Sequence, residues 1–337
     1  MIAPPKLNDI LAHTLDAAAK NNIGQQLPAH VKPVARIDPV RLFTLSSIGD
    51  DLSIARTAWD DYILRPNLYE QALPQGILSA RDVPVASIAP AHSETLLSAG
   101  VFEPIPHSEV RGYVMTFFVL ETLKNRVRII QHTKSINELM EDACDVSFTS
   151  LSDRRLLVWY SDYAATLDFA SYYHQFELDP SVRPFFCARL PMPDGTHRLC
   201  RLRVGATGQK HMVHTAVATT NLLLSFPKLS AVSDTQIDNI YFGGTREALL
   251  SDLTNFVLKR CHHSGVTIND LPADLSTISP EILAALITQK IDWVGLSLDL
   301  AAKTVCCTKK FTDKLKLSWY YRSEWSWQGF ACHIGLL

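Results

Sequence analysis

The stretch at residues 166–180, TLDFASYYHQFELDP, constrains the fold of this chain more than any other. A short β-like run ends in Asp168, and Tyr173 follows five residues later within a group of aromatic side chains. An aspartate at the end of a strand commonly makes only local turn hydrogen bonds. It is also suited to holding a divalent cation, because hard cations prefer carboxylate oxygens placed by a rigid element. The neighbouring segments decide between these two interpretations.

The composition is that of a globular protein with a large core. Of its 337 residues, 47% are hydrophobic and 20% are charged. The net charge of −2 argues against a uniformly basic nucleic-acid binder. Basic residues nevertheless cluster between Arg183 and Lys210 and between Lys303 and Arg322. Such clusters fit phosphate contacts, and they also fit solvated charged faces.

The cysteines and the apolar runs indicate the compartment. The seven cysteines show no CxxC pair, which favours free thiols in a reducing environment. The first residues lack the pattern of a signal peptide, and no apolar run approaches the roughly 18 residues that span a bilayer. We therefore expect an intracellular protein, in the nucleus or the cytoplasm, that is neither secreted nor membrane-embedded.

Two further segments carry candidate functional residues. Residues 111–137 alternate apolar and polar residues, as in a hairpin that turns near Lys124 and Asn125. Arg126 and Arg128 follow that turn, where they fit either a triphosphate-binding surface or a solvated strand edge. Residues 235–244, TQIDNIYFGG, place an Asp-Asn pair at a predicted β-turn, which is also a frequent turn signal without catalysis.

The glycine-containing segment LRVGATGQ lies between a predicted hairpin and a long apolar helix. Its Gly205 permits close backbone approach, either to a bound base pair or between a strand and the helix. Nearer the C-terminus, a basic stretch predicted to be helical from Thr312 contains Lys309, Lys310, Lys314 and Lys316.

The order of these segments resembles the reverse transcriptases of retroelements, across about residues 90–320. RVRIIQHTKSIN is similar to the fingers motif, LDFASYYHQF to the first palm motif, and LRVGATGQ to the motif whose glycine lies against the template-primer. QIDN stands where this family carries its Tyr-x-Asp-Asp turn, and GVTIND and WVGLSLD resemble later palm and primer-grip segments. Phrases such as GATGQKHMVHTAVATT look like the VIPER elements, tyrosine-recombinase retrotransposons related to the DIRS group.

The resemblance implies an α+β fold of the right-hand polymerase type, with fingers, palm and a partial thumb. Its palm would be an antiparallel sheet flanked by helices. Residues 1–90 would form an N-terminal extension or linker, residues 91–300 the fingers and palm, and residues 301–337 a truncated thumb or connection. The RNase H region of such elements would be absent.

The resemblance also implies RNA-directed DNA polymerase activity with two Mg²⁺ or Mn²⁺ ions. Its partners would be dNTP and an RNA/DNA template-primer duplex. Asp168 and Asp238 would hold the metal ions, and Asn239 would complete the catalytic set. Substrate would be bound by Tyr173, Arg126, Arg128, Gly205 and Gln209, and the duplex by Lys309, Lys310, Lys314 and Lys316.

The chain departs from the family pattern at several positions. Asn239 replaces the second Asp of the turn, Gln236 replaces its Tyr, and Glu121 stands where a lysine is common. An asparagine keeps an oxygen ligand but drops a negative charge, which weakens the binding of a hard cation. A decayed or co-opted palm that binds nucleic acid or protein without synthesis therefore stays open. So does an unrelated α+β enzyme, which would require Asp168 and Asp238 to lie far apart.

Overall fold

The computed structural model describes residues 17–32, 34–73, 79, 81–121, 124–140 and 146–313. Its α-helices are α1 (Ala17–Gln26), α2 (Pro39–Leu42), α3 (Asp51–Trp59), α4 (Asn67–Ala72), α5 (Pro90–Ser98), α6 (Lys134–Leu139), α7 (Leu151–Arg154), α8 (Leu157–Tyr160), α9 (Lys210–Leu223), α10 (Arg246–Asp252), α11 (Leu258–Ser264) and α12 (Pro280–Leu286). The strands are β1 (Phe102–Pro104), β2 (Met115–Glu121), β3 (Arg126–His132), β4 (Tyr163–Asp168), β5 (Cys187–Pro191), β6 (His197–Leu202), β7 (Val232–Gln236), β8 (Asn239–Gly244), β9 (Lys290–Trp293), β10 (Leu296–Asp299) and β11 (Thr304–Cys307).

The strands β4, β8 and β7 form an antiparallel sheet in that order. Its central strand, NIYFGG, is buried beyond its first residue because apolar and glycine residues pack on both faces. Asp168 at the end of β4 pairs with Asn239 at the start of β8. Strands β7 and β8 are joined by a two-residue turn of Ile237 and Asp238, since Gln236 pairs directly with Asn239. The predicted Asp-Asn turn is therefore a tight hairpin at one end of this sheet.

Further hairpins connect consecutive strands elsewhere in the described chain. Strands β2 and β3 pair from Met115 and His132 to Glu121 and Arg126, and Asn125 takes a φ of 48° at their turn. Asparagine tolerates this left-handed conformation better than most residues. Strand β6 lies between β1 and β5 and pairs with both, and β10 lies likewise between β9 and β11 in a further antiparallel sheet.

Local capping defines the long helical segment after the β4–β8–β7 sheet. It begins where the Thr245 hydroxyl accepts a hydrogen bond from the amide of Ala248, at 3.3 Å. It runs through α10, a π-helical turn at Leu253–Val257 and α11. It ends at Gly265, whose φ of 77° is a left-handed conformation that glycine adopts without a Cβ penalty.

The helix α3 packs against α9, and its last residue, Trp59, lies in the main core. Trp59 is fully buried, stacks at a tilt against Phe176 with ring centroids 5.2 Å apart, and donates from Nε1 to Thr219 Oγ1 at 2.8 Å. Tyr69 is buried between Phe185 and Phe186. The described residues from 17 to 73, expected above to be an extension or linker, therefore contribute to the same core as the sheets.

Three arginines of the basic cluster between Arg183 and Lys210 are paired with acidic side chains. Arg183 pairs with Glu103 and Glu177, each at 3.0 Å. Arg201 pairs with Glu103 at 2.7 Å, and Arg203 pairs with Glu177 at 2.8 Å. These ion pairs connect β1 and β6 with the segment that precedes β5. The three arginines thus join neighbouring segments of the fold.

Within the described ranges, no helix combines the length and the apolar character needed to cross a membrane.

Candidate functional site

A cleft of about 440 Å³ opens where the β2–β3 hairpin faces the end of β4 and the β7–β8 turn. Polar and charged side chains line much of it, and the carboxylates and cations lie on its walls together. The titratable residues among the lining are His30, Lys32, Lys124, Arg126, Arg128, Asp168, Tyr172, Tyr173, His174, Asp238 and Asp270. The structure thus brings together Asp168, Asp238 and both arginines, which the sequence separates by up to 112 positions.

Asp168 lies at the end of β4, where Asn269 holds it by two hydrogen bonds. The Asn269 amide donates to the Asp168 carbonyl at 2.7 Å, and its side-chain Nδ2 donates to Asp168 Oδ2 at 2.8 Å. Burial raises the pKa of Asp168, while the hydrogen bond from Asn269 and the positive charge of Lys32 oppose that rise. One carboxylate oxygen of Asp168 is not part of the bond to Asn269.

Asp238 is the second residue of the β7–β8 turn. Its carbonyl accepts a hydrogen bond from the amide of Phe169 at 2.9 Å, which ties the turn to the end of β4. Burial raises the pKa of Asp238 to about 6, and the nearby negative charge of Asp168 contributes to this rise. Two carboxylates are therefore close enough to repel each other at one end of the sheet, against the interpretation that requires them far apart.

The β7–β8 turn has a strained backbone, and a side chain of α9 stabilises it by a hydrogen bond. Ile237 has a φ of 59°, a left-handed conformation that a β-branched residue rarely adopts and that glycine prefers in such hairpins. The hydroxyl of Thr220 on α9 donates to the Ile237 carbonyl at 2.8 Å. A strained backbone persists only where its surroundings hold it, so α9 fixes the position of Asp238.

Asn239 begins β8 and does not line the cleft. Its Nδ2 donates to Asp238 Oδ1 at 2.9 Å. The resemblance predicts a second carboxylate at this position. The chain instead has a neutral amide that donates a hydrogen bond to the Asp238 carboxylate and orients it.

Tyr173 lies in the 3₁₀ turn Tyr172–Gln175, which follows Ser171 in a left-handed conformation with a φ of 42°. Its half-buried side chain lines the cleft. Burial raises its pKa to about 12, so the phenol stays neutral at physiological pH. Gly205 lies behind this turn: a Cβ there would come 3.0 Å from the Tyr173 carbonyl oxygen and 2.6 Å from Met212 Cε. Gly205 thus allows close packing under Tyr173.

Gln209 lies outside the cleft. Its side chain is buried, and its Nε2 donates to the Tyr69 hydroxyl at 2.7 Å. The structure places this residue at the junction of α9 with the N-terminal helices, and its side chain is turned away from the other predicted site residues.

Arg126 and Arg128 lie on the same face of β3 and share one acidic partner. Arg126 Nε is 2.5 Å from Glu121 Oε2, and Arg128 Nη2 is 2.9 Å from Glu121 Oε1. Arg126 Nη1 also lies 2.9 Å from His30 Nδ1. Although burial opposes it, the hydrogen bond from Arg126 and the charge of Arg128 lower the pKa of Glu121. Both predicted phosphate-binding cations therefore line the cleft while paired with Glu121.

The remaining predicted residues lie elsewhere. Lys309 and Lys310 are exposed in a helical turn after β11 and do not line the cleft. Lys314 and Lys316 lie outside the described residues.

The sequence did not identify His30, Lys32, Lys124 or Asn269 as site residues, although it placed Lys124 at the turn of a predicted hairpin. His30 and Lys32 come from a stretch that the sequence presents as connecting chain. Asn269 lies in GVTIND, and only the position of this segment in the chain indicated that it belongs near the site.

The donor set fits a metal ion that is shared with a substrate. In the parts of the chain that the structure describes, no group of three or more His, Cys, Asp or Glu side chains could enclose an ion. Magnesium is commonly held by one or two carboxylates together with water and substrate phosphates. Asp168 and Asp238 could supply those carboxylates, and the cations on the facing wall could contact a phosphate group.

Comparison with solved structures places this site in a known fold. The chain is similar to a foamy viral protease-reverse transcriptase in complex with double-stranded DNA, with a TM-score of 0.55 and 14% identity over 91% of this chain and 53% of that one. A second structure of the foamy viral protease-reverse transcriptase with double-stranded DNA gives a TM-score of 0.53 at 14% identity, covering 91% and 63%. A third, with an RNA/DNA hybrid, gives 0.50 at 14% identity, covering 91% and 41%.

The chain thus spans about half the length of these proteins and has a reverse-transcriptase-like fold. No protein-family model matches it, and no curated protein matches it in sequence.

Proposed function

We propose that this chain is the polymerase part of a retroelement reverse transcriptase, which joins a dNTP to the 3′-hydroxyl of a primer on an RNA template. One observation carries the proposal: Asp168 and Asp238 meet at one end of the β4–β8–β7 sheet, opposite Arg126 and Arg128. The reverse-transcriptase-like fold supports it. Within this proposal the subgroup is that of the VIPER-like elements, on the residue phrases quoted above.

The proposal assigns parts of the fold to parts of a right-hand polymerase. The β4–β8–β7 sheet with α9 and the α10–α11 segment is the palm, and the β2–β3 hairpin belongs to the fingers. Residues 301–337 begin the thumb or connection. The template-primer duplex would lie across the palm, where Lys309, Lys310, Lys314 and Lys316 contact its backbone, and such contacts weaken with added salt.

Asp168 and Asp238 are the residues that would hold two Mg²⁺ or Mn²⁺ ions. When bound, these ions lower the pKa of the primer hydroxyl and neutralise charge on the triphosphate. Both carboxylates must be ionised to hold the ions. Because the pKa of Asp238 is raised to about 6, its carboxylate is ionised mainly above that pH. Asn239 keeps Asp238 oriented without adding charge.

The other residues bind and position the substrate. Tyr173 would lie beneath the sugar of the incoming nucleotide, where its bulk excludes a 2′-hydroxyl, and Gly205 permits the packing of its turn. Arg126 and Arg128 would contact the phosphates. Each arginine would then give up at least part of its ion pair with Glu121 in order to bind a phosphate oxygen. Positioning and charge stabilisation supply most of the catalysis in phosphoryl transfer, so no nucleophilic side chain is needed.

Primer extension tests this function directly. We expect the chain to extend a DNA primer on an RNA template with Mg²⁺ or Mn²⁺, and Asp168→Asn to lower extension at least about a hundredfold. Lys134→Met is the control, because Lys134 is exposed on α6, lies outside the cleft and pairs with Glu138 at 3.7 Å. Extension that survives Asp168→Asn would contradict the proposed site.

A second candidate is a co-opted fold that binds nucleic acid or protein without synthesis. Two observations favour it. Asn239 stands where the resemblance predicts a carboxylate, and Glu121 is paired with both arginines that would bind phosphate. Absence of extension by a folded protein that still binds a duplex in a salt-sensitive manner would select this candidate. Asn239→Asp discriminates further, since it should raise metal-dependent extension only if the chain is a polymerase.

A further inference from the structure

A segment from the N-terminal part of the chain crosses the cleft. Its described residues, 28–32 and 34–38, are here called the crossing segment. At one end the amide of His30 donates to the Val127 carbonyl at 2.7 Å, so the segment runs beside β3. At the other end the amide of Ile37 donates to the Gln175 carbonyl at 2.8 Å, and that of Asp38 to the Ser264 carbonyl at 2.9 Å. The crossing segment is therefore fixed to both walls.

Lys32 lies between these two attachments and lines the cleft. Its Nζ donates to Asn269 Oδ1, and Asn269 Nδ2 in turn donates to Asp168 Oδ2 at 2.8 Å. A single amide thus separates the ammonium group from the first proposed metal ligand. The positive charge of Lys32 opposes the burial-driven rise in the pKa of Asp168, in keeping with this proximity.

Lys32 differs in its pairing from the two arginines that line the same cleft. Arg126 and Arg128 share Glu121, whereas no carboxylate of the described chain lies within 4 Å of the Lys32 ammonium. The side chain is only half exposed, and its one hydrogen bond is to a neutral amide. A partly buried ammonium that no carboxylate contacts directly is unfavourable, and an anionic ligand in the cleft would supply such a contact.

We propose that Lys32 binds the polyphosphate of the incoming nucleoside triphosphate beside Asp168, so that the N-terminal segment supplies part of the substrate site. This inference rests on the proposed function. A lysine acts on phosphate as a point charge, and its four-carbon stem can turn from Asn269 towards a ligand in the cleft. Asn269 would remain bound to Asp168 when Lys32 engages the ligand.

The alternative is that Lys32 acts only through Asn269, by holding Asp168 in place. The two roles predict different results for two variants. If Lys32 binds phosphate, Lys32→Met removes a ligand contact that Asn269→Ala leaves in place. If Lys32 only positions Asn269, both variants should have the same effect.

The test is calorimetric binding of inorganic tripolyphosphate with Mg²⁺, using the full chain and the variants Lys32→Met, Lys32→Arg, Asn269→Ala and Lys134→Met. We expect Lys32→Met to weaken binding about tenfold, as loss of a charge-assisted contact does. Lys32→Arg should restore part of the affinity, and Lys134→Met should not change it. Thermal unfolding of each variant shows that it is folded.

Three results would overturn the proposal: equal affinity in Lys32→Met and the full chain, equal losses in Lys32→Met and Asn269→Ala, or no binding by the full chain. Primer extension by the same variants shows whether the role of Lys32 fails or the polymerase proposal fails. Binding that depends on Lys32 without any extension would reject the polymerase and retain a polyphosphate site. Extension with an unchanged KM for dNTP in Lys32→Met would reject only the role of Lys32.

Discussion

Two carboxylates at one end of a sheet experience different surroundings. Asp168 receives a hydrogen bond from Asn269 and lies near Lys32. Asp238 receives one hydrogen bond from Asn239 and lies beside the charge of Asp168. Asp238 is therefore the group whose protonation changes nearest to neutral pH. Its ionised form costs folding free energy that a bound cation would offset.

This cost predicts a stabilising substitution. The pKa of Asp238 rises from 3.8 in the unfolded chain to about 6 in the fold. Because the folded state binds this proton more tightly, the contribution of Asp238 to stability is greatest below pH 4 and is lost as the pH rises through about 6. We expect Asp238→Asn to raise the free energy of unfolding of the metal-free protein by about 1–3 kcal/mol at pH 8.

Urea denaturation with EDTA at pH 8 and pH 4 measures this difference. At pH 4 the wild-type carboxyl is largely protonated, so the two proteins should have nearly equal stability. A variant less stable than the wild type at pH 8 would show that the Asp238 carboxylate is not destabilising.

Glu121 partly neutralises the positive charge that Arg126 and Arg128 would present to a ligand. It pairs with Arg126 and Arg128, so its removal frees both guanidinium groups for phosphate. We expect Glu121→Gln to tighten the binding of Mg²⁺-tripolyphosphate about fivefold, which corresponds to about 1 kcal/mol for partly exposed ion pairs. Calorimetry measures the affinity, and Glu138→Gln, which removes an exposed pair on α6, is the matched control. Weaker binding in Glu121→Gln would mean that Glu121 is needed to place the arginines.

At the scale of elements, the β7–β8 turn depends on α9. The turn holds Ile237 in a left-handed conformation, and Thr220 of α9 supplies a donor to its carbonyl. The same hydroxyl lies 3.1 Å from that of Tyr172, which precedes Tyr173. One residue of α9 thus contacts both the carboxylate-bearing turn and the aromatic turn.

Thr220→Val keeps the shape of this side chain and removes its donor. We expect the free energy of unfolding to fall by about 1–3 kcal/mol, since the Ile237 carbonyl loses its donor within a partly buried site. The rate of primer extension should fall as well, because the turn that carries Asp238 is less well held. Thr57→Val on the exposed face of α3 is the control. Equal stability of Thr220→Val and the wild type would show that the strained turn needs no support from α9.

At the scale of the whole molecule, the N-terminal part unites the core and the cleft. Trp59 connects α3 to α9 and to Phe176, near the aromatic turn of Tyr173. Further along the chain, Arg36 donates from Nη2 to the Gly100 carbonyl at 3.0 Å, and the crossing segment reaches Ser264. A chain that starts at residue 91 would lose all these contacts.

Trp59→Ala tests the contribution of this part to the core. We expect it to lower the free energy of unfolding by about 3–5 kcal/mol, the usual cost of truncating a fully buried aromatic residue. Val40→Ala is the control, because Val40 is 77% exposed. A chain of residues 91–337 should fail to show cooperative thermal unfolding by circular dichroism. Cooperative unfolding of that shorter chain would contradict the assignment of α3 to the core.

The sequence by itself determined the local elements and the type of fold. Alternation of apolar and polar residues predicted the β2–β3 hairpin, and a hairpin was also predicted before LRVGATGQ, where β5 and β6 pair. The Asp-Asn pair lies at a tight turn, as predicted. The expectation of a reverse-transcriptase-like fold is confirmed, whereas the VIPER subgroup remains a prediction. The hairpins and the turn depend on short-range periodicity and turn chemistry, which a linear pattern records, whereas the fold was expected from the resemblance of the ordered segments to reverse transcriptases.

Only the tertiary structure decided which partners each charged group has. Glu121 lies beside Arg126 and Arg128, Arg183 and Arg203 are paired with acids, and Lys32 reaches Asn269 across 237 positions. The sequence could not reveal these pairs, because ion pairs and long-range hydrogen bonds depend on three-dimensional proximity and leave no periodicity in the chain. The same reason explains Gln209, which the order of segments placed at the site and which packing turns towards Tyr69.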